Sequence, residues 1–230
     1  MTLHVSYFVA GTDTGVGKTR VTGAVLAAAR QKGVHAAGMK PVATGCFWKD
    51  GHLISEDALY ISQNSQQVST YDQLNPYALA EPLSPHIAAR RAGVRIDIER
   101  IVEAAQELAQ AHELLLVEGT GGWLAPIGGG RTMADVARAL AVPVVLVVGL
   151  RLGCLNHAQL TAAAIRATPL TLRGWIGSHI DADFAAGSEN IDTLRDLLGS
   201  APLALLAHRA DGAADAGDCQ AALVQLLARP

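Results

Sequence analysis

The chain is poor in three things, and each shortage narrows what it does. Aromatic residues make up 4% of its 230 positions, and there are three cysteines, Cys46, Cys154 and Cys219, far apart in sequence. An odd, scattered set of three offers neither a disulfide framework nor a metal cluster, so buried thiols in a reducing cytosol are expected. No basic block occurs, and the net charge is −3 with a pI near 6.2. A nucleic-acid surface therefore has no electrostatic support. The longest apolar stretch, Val142 to Leu150, falls short of the ~20 residues a bilayer crossing needs. The first residues lack the basic start and cleavage site of a secretion signal, which points to a cytoplasmic protein without a membrane partner.

What is abundant is Ala, Leu and Val within a composition that is 50% hydrophobic. A chain this long is most simply one domain, residues 1–230, with room for a sizeable core. Apolar runs alternate with helical patterns. Leu3–Ala10, Val34–Pro41, Glu113–Glu118 and Val142–Gly149 read as strands. Lys18–Gln31, Glu56–Gln63 (capped by Ser55), Pro85–Arg91 and Ile98–Gln110 read as helices. Leu155–Ala167, Leu172–Ile180, Asn190–Leu198, Pro202–Ala207 and Cys219–Ala228 continue the alternation. Gly187–Asn190 and Asp211–Asp218 have loop composition. The pattern predicts an α/β fold with a mostly parallel sheet flanked by helices on both faces. The Gly-containing excursion Cys46–Ser55 is expected near the site, beyond the carboxyl ends of the strands.

The strongest chemical signal is Gly11-Thr12-Asp13-Thr14-Gly15-Val16-Gly17-Lys18-Thr19. It follows a strand and opens a helix, as a phosphate-binding loop must. Glycines let backbone N–H groups turn toward phosphate oxygens, and the helix N-terminus favours anions. Lys18 would reach the β- and γ-phosphates of a nucleotide, and the Thr19 hydroxyl would ligate Mg²⁺. The first glycine stands one place earlier than in the general pattern, at Gly11 instead of position 12. Glu118 ends the apolar run Leu114–Val117, where a phosphate-loop enzyme needs a hard oxygen for Mg²⁺ or its water. Lys40, in Met39-Lys40-Pro41-Val42-Ala43-Thr44-Gly45, would stabilise charge on a transferring phosphoryl group. From spacing alone it reads as a snorkelling surface lysine. Asp57 by itself reads as a solvated first-turn acid. Gly153-Cys154-Leu155-Asn156-His157 reads as a helix N-terminus, able to hold an anion or simply capped. Seven histidines considered for metal binding (positions 4, 35, 52, 86, 157, 179 and 208) form no zinc spacing. Trp48, Trp123 and Trp175 read as packing residues.

Taken in order, these elements resemble the dethiobiotin synthetases, from Tyr7 to about Ala207. Further pieces of the likeness are Asn75-Pro76-Tyr77, Glu81-Pro82-Leu83-Ser84-Pro85-His86, Val117-Glu118-Gly119-Thr120-Gly121-Gly122-Trp123 and Leu152–His157. The resemblance implies a phosphate-loop NTPase fold and an ATP- and Mg²⁺-dependent cyclo-ligase of biotin synthesis. Its substrate is 7,8-diaminononanoate with CO₂ or bicarbonate, and it works as a homodimer with each site completed by the partner subunit. It implies catalytic roles for Lys40, Lys18 and Thr44. Thr14, Gly15, Val16, Gly17, Lys18, Thr19 and Arg20 would wrap ATP, with Asp57, Glu118, Gly119, Thr120 and Gly121. Thr19, Asp57 and Glu118 would surround Mg²⁺. Lys40, Thr44, Gly121, Leu155 and Asn156 would hold substrate. Ser178, His179, His208, Arg209 and Ala210 fall on the base side, where the chain departs from the family. Ser178-His179 replaces an adenine-reading Asn and its neighbour, Ala207–Ala210 replaces an Ile-Pro-x-Leu turn, and Asn190 replaces a tyrosine. These departures bear on which nucleoside triphosphates are accepted. Two other readings remain on this motif set. One is an amide synthetase on the same scaffold, for whose glutaminase domain 230 residues leave no room. The other is a partition- or cell-division-type ATPase switch, whose early second lysine is missing from Gly11-Thr12-Asp13.

Overall fold

The computed structural model describes residues 5–67, 70–209 and 216–228. In chain order, β1 (Val5–Gly11) leads through a loop into α1 (Lys18–Gln31) and β2 (Ala36–Met39). Then come β3 (Val42–Thr44), the hairpin β4 (Phe47–Lys49) and β5 (His52–Ile54), α2 (Glu56–Asn64) and α3 (Tyr71–Leu74). β6 (Tyr77–Leu79), α4 (Pro85–Arg91), α5 (Ile98–Ala111), β7 (Leu114–Glu118) and the hairpin β8 (Pro126–Gly128) and β9 (Arg131–Thr132) follow. α6 (Met133–Leu140), β10 (Val144–Leu150), α7 (Cys154–Arg166), β11 (Leu172–His179), α8 (Gly187–Leu198), β12 (Ala204–Leu206) and α9 (Gln220–Leu227) complete the sequence.

Six strands form one sheet in the order β12-β11-β10-β1-β7-β2. Every pairing in it is parallel. Successive side chains of a strand point to opposite faces, so a sheet covered on both sides needs apolar residues at every position. β1 does this: Phe8 and Ala10 enter the core under α4 to α8, while Tyr7 and Val9 enter the core under α1, α2 and α9. Leu115 and Val117 against Leu114 and Leu116 repeat the division in β7. The expected α/β class, with helices on both faces, is the observed one.

Differences from the sequence reading cluster beyond the sheet. The second strand stops at Met39, because the Lys40 N–H leaves the ladder and donates to the Leu74 carbonyl (2.8 Å). Val42–Thr44 then pairs with β6 in a separate two-stranded parallel unit. The excursion after Thr44 folds as an antiparallel hairpin, Phe47 opposite Ile54. Trp48 sits on that hairpin 70% exposed, so it does not pack as expected. Trp175 is buried and donates to the Ser200 carbonyl, and Trp123 meets Phe8 edge-on. Gly187–Asn190 belongs to α8 instead of a loop, and of the loop expected at Asp211–Asp218 residues 211–215 lie outside the described residues. The three cysteines are buried free thiols, as anticipated. The eighth histidine, His112, is buried and stacks on His35.

Candidate active site

The carboxyl ends of β1 and β7 are neighbours in the sheet, and each delivers part of one charged cluster. After Gly11 the chain makes a loop that ends at Gly17, whose φ of +88° is left-handed. Gly17 caps α1 with no side-chain hydrogen bond, and the first turn of α1 carries no acidic residue. The helix N-terminus is therefore left with outward-facing N–H groups and a positive field. Gly17 also has a steric reason to be glycine. A Cβ there would stand 2.6 Å from Ser178 Oγ at the end of β11.

Lys18 curls back over the loop. Its Nζ donates to the Asp13 carbonyl (2.9 Å) and the Gly121 carbonyl (2.7 Å). Burial, then the nearby Lys40 charge, lowers its pKa to about 8, against the partial support of Glu118, Asp57 and Asp13. Lys40 comes from the end of β2. Its Nζ donates to Asp57 Oδ2 (2.7 Å) and Glu118 Oε1 (2.6 Å). It is 3% exposed, so it is not the snorkelling surface lysine its spacing suggested. Burial pulls its pKa down, but the Glu118 and Asp57 carboxylates outweigh burial and hold it above the ordinary lysine value. Asn75 sets the Lys40 backbone by donating to its carbonyl (2.6 Å).

Glu118 is fully buried and is the centre of the cluster. Oε1 accepts from Thr19 Oγ1 (2.7 Å) and Lys40, and Oε2 accepts from Thr22 Oγ1 (2.8 Å). Asp57, in the first turn of α2, reaches the same group from the far side. Burial pushes its carboxyl up, but the Lys40 ammonium and the Thr19 hydroxyl prevail and lower its pKa. Asp57 arrives there because α2 starts where expected, Ser55 Oγ accepting from the Ala58 N–H (3.2 Å). α2 lies close on β2 at Gly38, where a Cβ would meet Ile61 at 2.4 Å.

Thr19, Asp57 and Glu118 form an all-oxygen donor set of two carboxylates and a hydroxyl. Among the described residues, no group of three or more His, Cys, Asp or Glu is placed to hold a metal by itself. Two carboxylates and a hydroxyl are hard oxygen donors of the kind Mg²⁺ takes, its remaining ligands coming from phosphate and water.

The structure thus brings Lys18, Thr19, Lys40, Asp57, Glu118 and Gly121 together. Gly119 and Thr120 continue the same turn: the Gly119 N–H donates to the Val9 carbonyl, and Thr120 Oγ1 donates to the Val42 carbonyl. Thr44 stands at the carboxyl end of β3, beside this turn's Val42 anchor. Thr14 and Gly15 form the exposed loop crest, where the Thr14 N–H donates to Asp13 Oδ1 (2.7 Å), and Val16 turns into the core beneath it. Arg20 faces away and donates to the Ala207 carbonyl (2.7 Å). His179, His208 and Arg20 are neighbours on that side; burial, then His208 and Arg20, lower the His179 pKa. Ser178 is fully buried with its Oγ against Gly17, so its side chain supports the phosphate loop from beneath. Leu155 and Asn156 occupy the first turn of α7, a second helix started by a left-handed glycine, Gly153 (φ +92°). Arg209 is exposed, and Ala210 lies outside the described residues. A cavity of about 580 Å³ between α4, the start of α5 and the β8–β9 hairpin contains none of these residues.

Two participants, Thr22 and Arg151, were not singled out in the sequence, and Asp13 stood there only inside the loop motif. Thr22 holds Glu118, and its place one turn after Lys18 on α1 was the available signal. Asp13 and Arg151 pair across the site (2.9 Å), joining the loop to the end of β10. Only the strand pairing reveals that second contact.

The model of the AAA domain family matches residues 5–210. The ATP-dependent dethiobiotin synthetase BioD of Xanthomonas euvesicatoria is 48% identical over 195 residues, covering 85% of this chain and 87% of that protein. That of Aromatoleum aromaticum is 46% identical over 208 residues, covering 90% and 92%. Among solved structures, the MinC:MinD cell division protein complex of Aquifex aeolicus aligns with a TM-score of 0.59 at 15% identity, over 97% of this chain and 94% of that one. A ParA family ATPase from Chlorobium tepidum aligns with a TM-score of 0.56 at 13% identity, over 97% and 91%. At such identities the likeness to MinD and ParA shows a shared fold and nothing further. Among the described residues no helix is long and apolar enough to cross a membrane.

Proposed function

The chain belongs to the ATP-dependent dethiobiotin synthetases, and from that premise we propose that it closes the ureido ring of dethiobiotin. The substrates are 7,8-diaminononanoate, CO₂ and ATP, and the products are dethiobiotin, ADP and phosphate. One domain, residues 1–230, carries the reaction in the cytoplasm, as a homodimer. The observation that carries the reading is the pair of buried lysines in one cluster: Lys18 donates to the Asp13 and Gly121 carbonyls and Lys40 to the Asp57 and Glu118 carboxylates, all at 2.6–2.9 Å.

One amine of the diamine adds to CO₂, forming an N–C bond and losing a proton to give a carbamate. A carbamate oxygen attacks the γ-phosphorus, and ADP leaves. The second amine attacks the carbonyl carbon of the carbamic-phosphoric anhydride. Phosphate leaves, the amine loses a proton, and the ring is closed. Carbamate and triphosphate are both anions, so the main task is to hold like charges together in line. Lys18 and the N–H groups of Thr14 to Arg20 suit the phosphates. Lys40 suits the carbamate and the phosphoryl oxygens that gain charge in transfer. The Thr44 hydroxyl faces the diamine, and Gly119 to Gly121 line the junction between the two substrates. Thr19, Asp57 and Glu118 would hold Mg²⁺, which neutralises phosphate charge when bound. Leu155 and Asn156, at the uncapped N-terminus of α7, would hold the substrate's carboxylate from the partner subunit. His179, His208, Arg209 and Ala210 would flank the base, with Ser178 beneath them.

The test uses purified protein with 7,8-diaminononanoate, bicarbonate, Mg²⁺ and ATP, scored by mass spectrometry for the cyclic urea, beside Lys40→Ala. Wild-type product with almost none from the variant supports the reaction and the role of Lys40. A folded, ATP-binding wild type that makes no cyclic urea overturns the assignment.

A further inference from the structure

Two helices in this fold begin in the same way. α1 and α7 each follow a left-handed glycine, Gly17 (φ +88°) and Gly153 (φ +92°). Neither has a side-chain cap, and neither has an acid in its first turn. They leave adjacent parallel strands, β1 and β10, which are in register from Phe8 and Val144 to Gly11 and Val147. Both N-termini therefore open at the same edge of the sheet, and one ion pair ties them together. Arg151 Nη2 donates to Asp13 Oδ2 (2.9 Å).

Asp13 is well placed to transmit a change. Its Oδ1 accepts from the Thr14 N–H and its carbonyl accepts from Lys18 Nζ, so one residue fixes a crest amide and the loop lysine. Arg151 is equally tied to the second helix, since its carbonyl accepts from the Cys154 N–H (3.0 Å), the first residue of α7. A phosphate that drew Lys18 off the Asp13 carbonyl would change the contacts of Asp13, and the guanidinium stands between Asp13 and the start of α7. The pair is about half-exposed, with side-chain exposures of 48% for Asp13 and 42% for Arg151. An exposed pair contributes little to stability. Its position suits it to coupling instead.

We infer that Asp13 and Arg151 are positioning residues that couple nucleotide binding at the phosphate loop to carboxylate binding at the N-terminus of α7. The inference rests on the proposed reaction. With α7 serving the partner's substrate, the pair links the nucleotide site of one subunit to the diamine site of the other. Coupling of this kind is reciprocal: each ligand tightens the other by one common factor.

Calorimetry of 7,8-diaminononanoate, with and without a non-hydrolysable ATP analogue and Mg²⁺, measures that factor. In the wild type the analogue is expected to tighten diamine binding at least about fivefold, the low end of usual allosteric couplings. In Arg151→Ala and Asp13→Ala the ratio falls to about one while diamine still binds, and Arg151→Lys keeps part of it. An unchanged ratio in both alanine variants overturns the coupling and leaves the reaction standing. Wild-type protein that binds no diamine overturns the reaction and the coupling together.

Discussion

Lys40 Nζ and Glu118 Oε1 lie 2.6 Å apart, with 4% and 0% of their side chains exposed. A buried ion pair owes much of its value to the damage done when one partner is removed. Lys40→Met keeps bulk and removes charge, leaving Glu118 with the hydroxyls of Thr19 and Thr22 and no cation in contact. Unfolding in urea should show a loss of about 3–5 kcal/mol. Lys40→Met with Glu118→Leu removes both charges and should recover much of that loss. A double variant no more stable than the single one would show that the stranded carboxylate is not the cause.

Lys18 sets a pH dependence. Its folded pKa of about 8 lies below the ordinary lysine value, because burial and Lys40 disfavour its charge. Between pH 8 and the unfolded value the unfolded chain binds more protons, so this group makes stability rise with pH across that window. Its unfavourable contribution is fully present below pH 8 and disappears as the unfolded lysine also deprotonates. Nucleotide binding runs the other way. Triphosphate favours the charged lysine, so affinity should fall above pH 8, by up to about tenfold per unit for one proton. Calorimetry at pH 9 in buffers of different ionisation enthalpy should show proton uptake on ATP binding. Uptake of no protons at pH 9 would sink this assignment.

How much of this was legible depends on whether the signal was local. The phosphate loop, Glu118 and the α2 start at Ser55 were readable because each is a short motif at the end of an element. The strands β1, β7 and β10 were readable because both their faces are covered, which makes the runs continuous. Lys40 was misjudged from spacing alone, since its burial is made by α2 and β7 and held by Asn75, residues distant in sequence. α6 was missed although Thr132 and Asp135 form a capping box. The β4–β5 hairpin was missed because three-residue strands are too short for a period to show. The Asp13–Arg151 pair spans 138 positions and depends on β1 lying beside β10.

Glycines 15 and 17 allow strain to be separated from crowding. Both have left-handed φ values, +73° and +88°, which an alanine adopts at a cost of about 1–2 kcal/mol. Among the described residues a Cβ on Gly15 meets nothing within 4 Å, whereas one on Gly17 stands 2.6 Å from Ser178 Oγ. Gly15→Ala should lower thermal stability by the conformational cost alone. Gly17→Ala should lower it further, and Ser178→Gly should return only the excess. Equal losses in Gly15→Ala and Gly17→Ala would show that the strand beneath the loop yields freely.

Ser178 decides the last prediction. The resemblance to the family implies an adenine-reading asparagine at this position. Here the side chain is fully buried, and its Oγ has no hydrogen-bond partner among the described residues. A site that reads a base through buried hydrogen bonds rejects the wrong base by factors of about 10⁴. With the base placed as proposed, it would meet His179, His208 and Arg209 without that asparagine amide, and discrimination should be weak. The ratio of kcat/KM for ATP over that for GTP or CTP is expected to stay within about tenfold, far below the rejection that such hydrogen bonds achieve. Ser178→Ala should leave that ratio unchanged. It should also raise stability by about 1 kcal/mol, since it deletes a buried hydroxyl left unpartnered among the described residues. A preference for ATP above about a hundredfold would mean that backbone groups beside His179 read the base after all. A ratio that shifts in Ser178→Ala would mean that the hydroxyl turns toward the nucleotide.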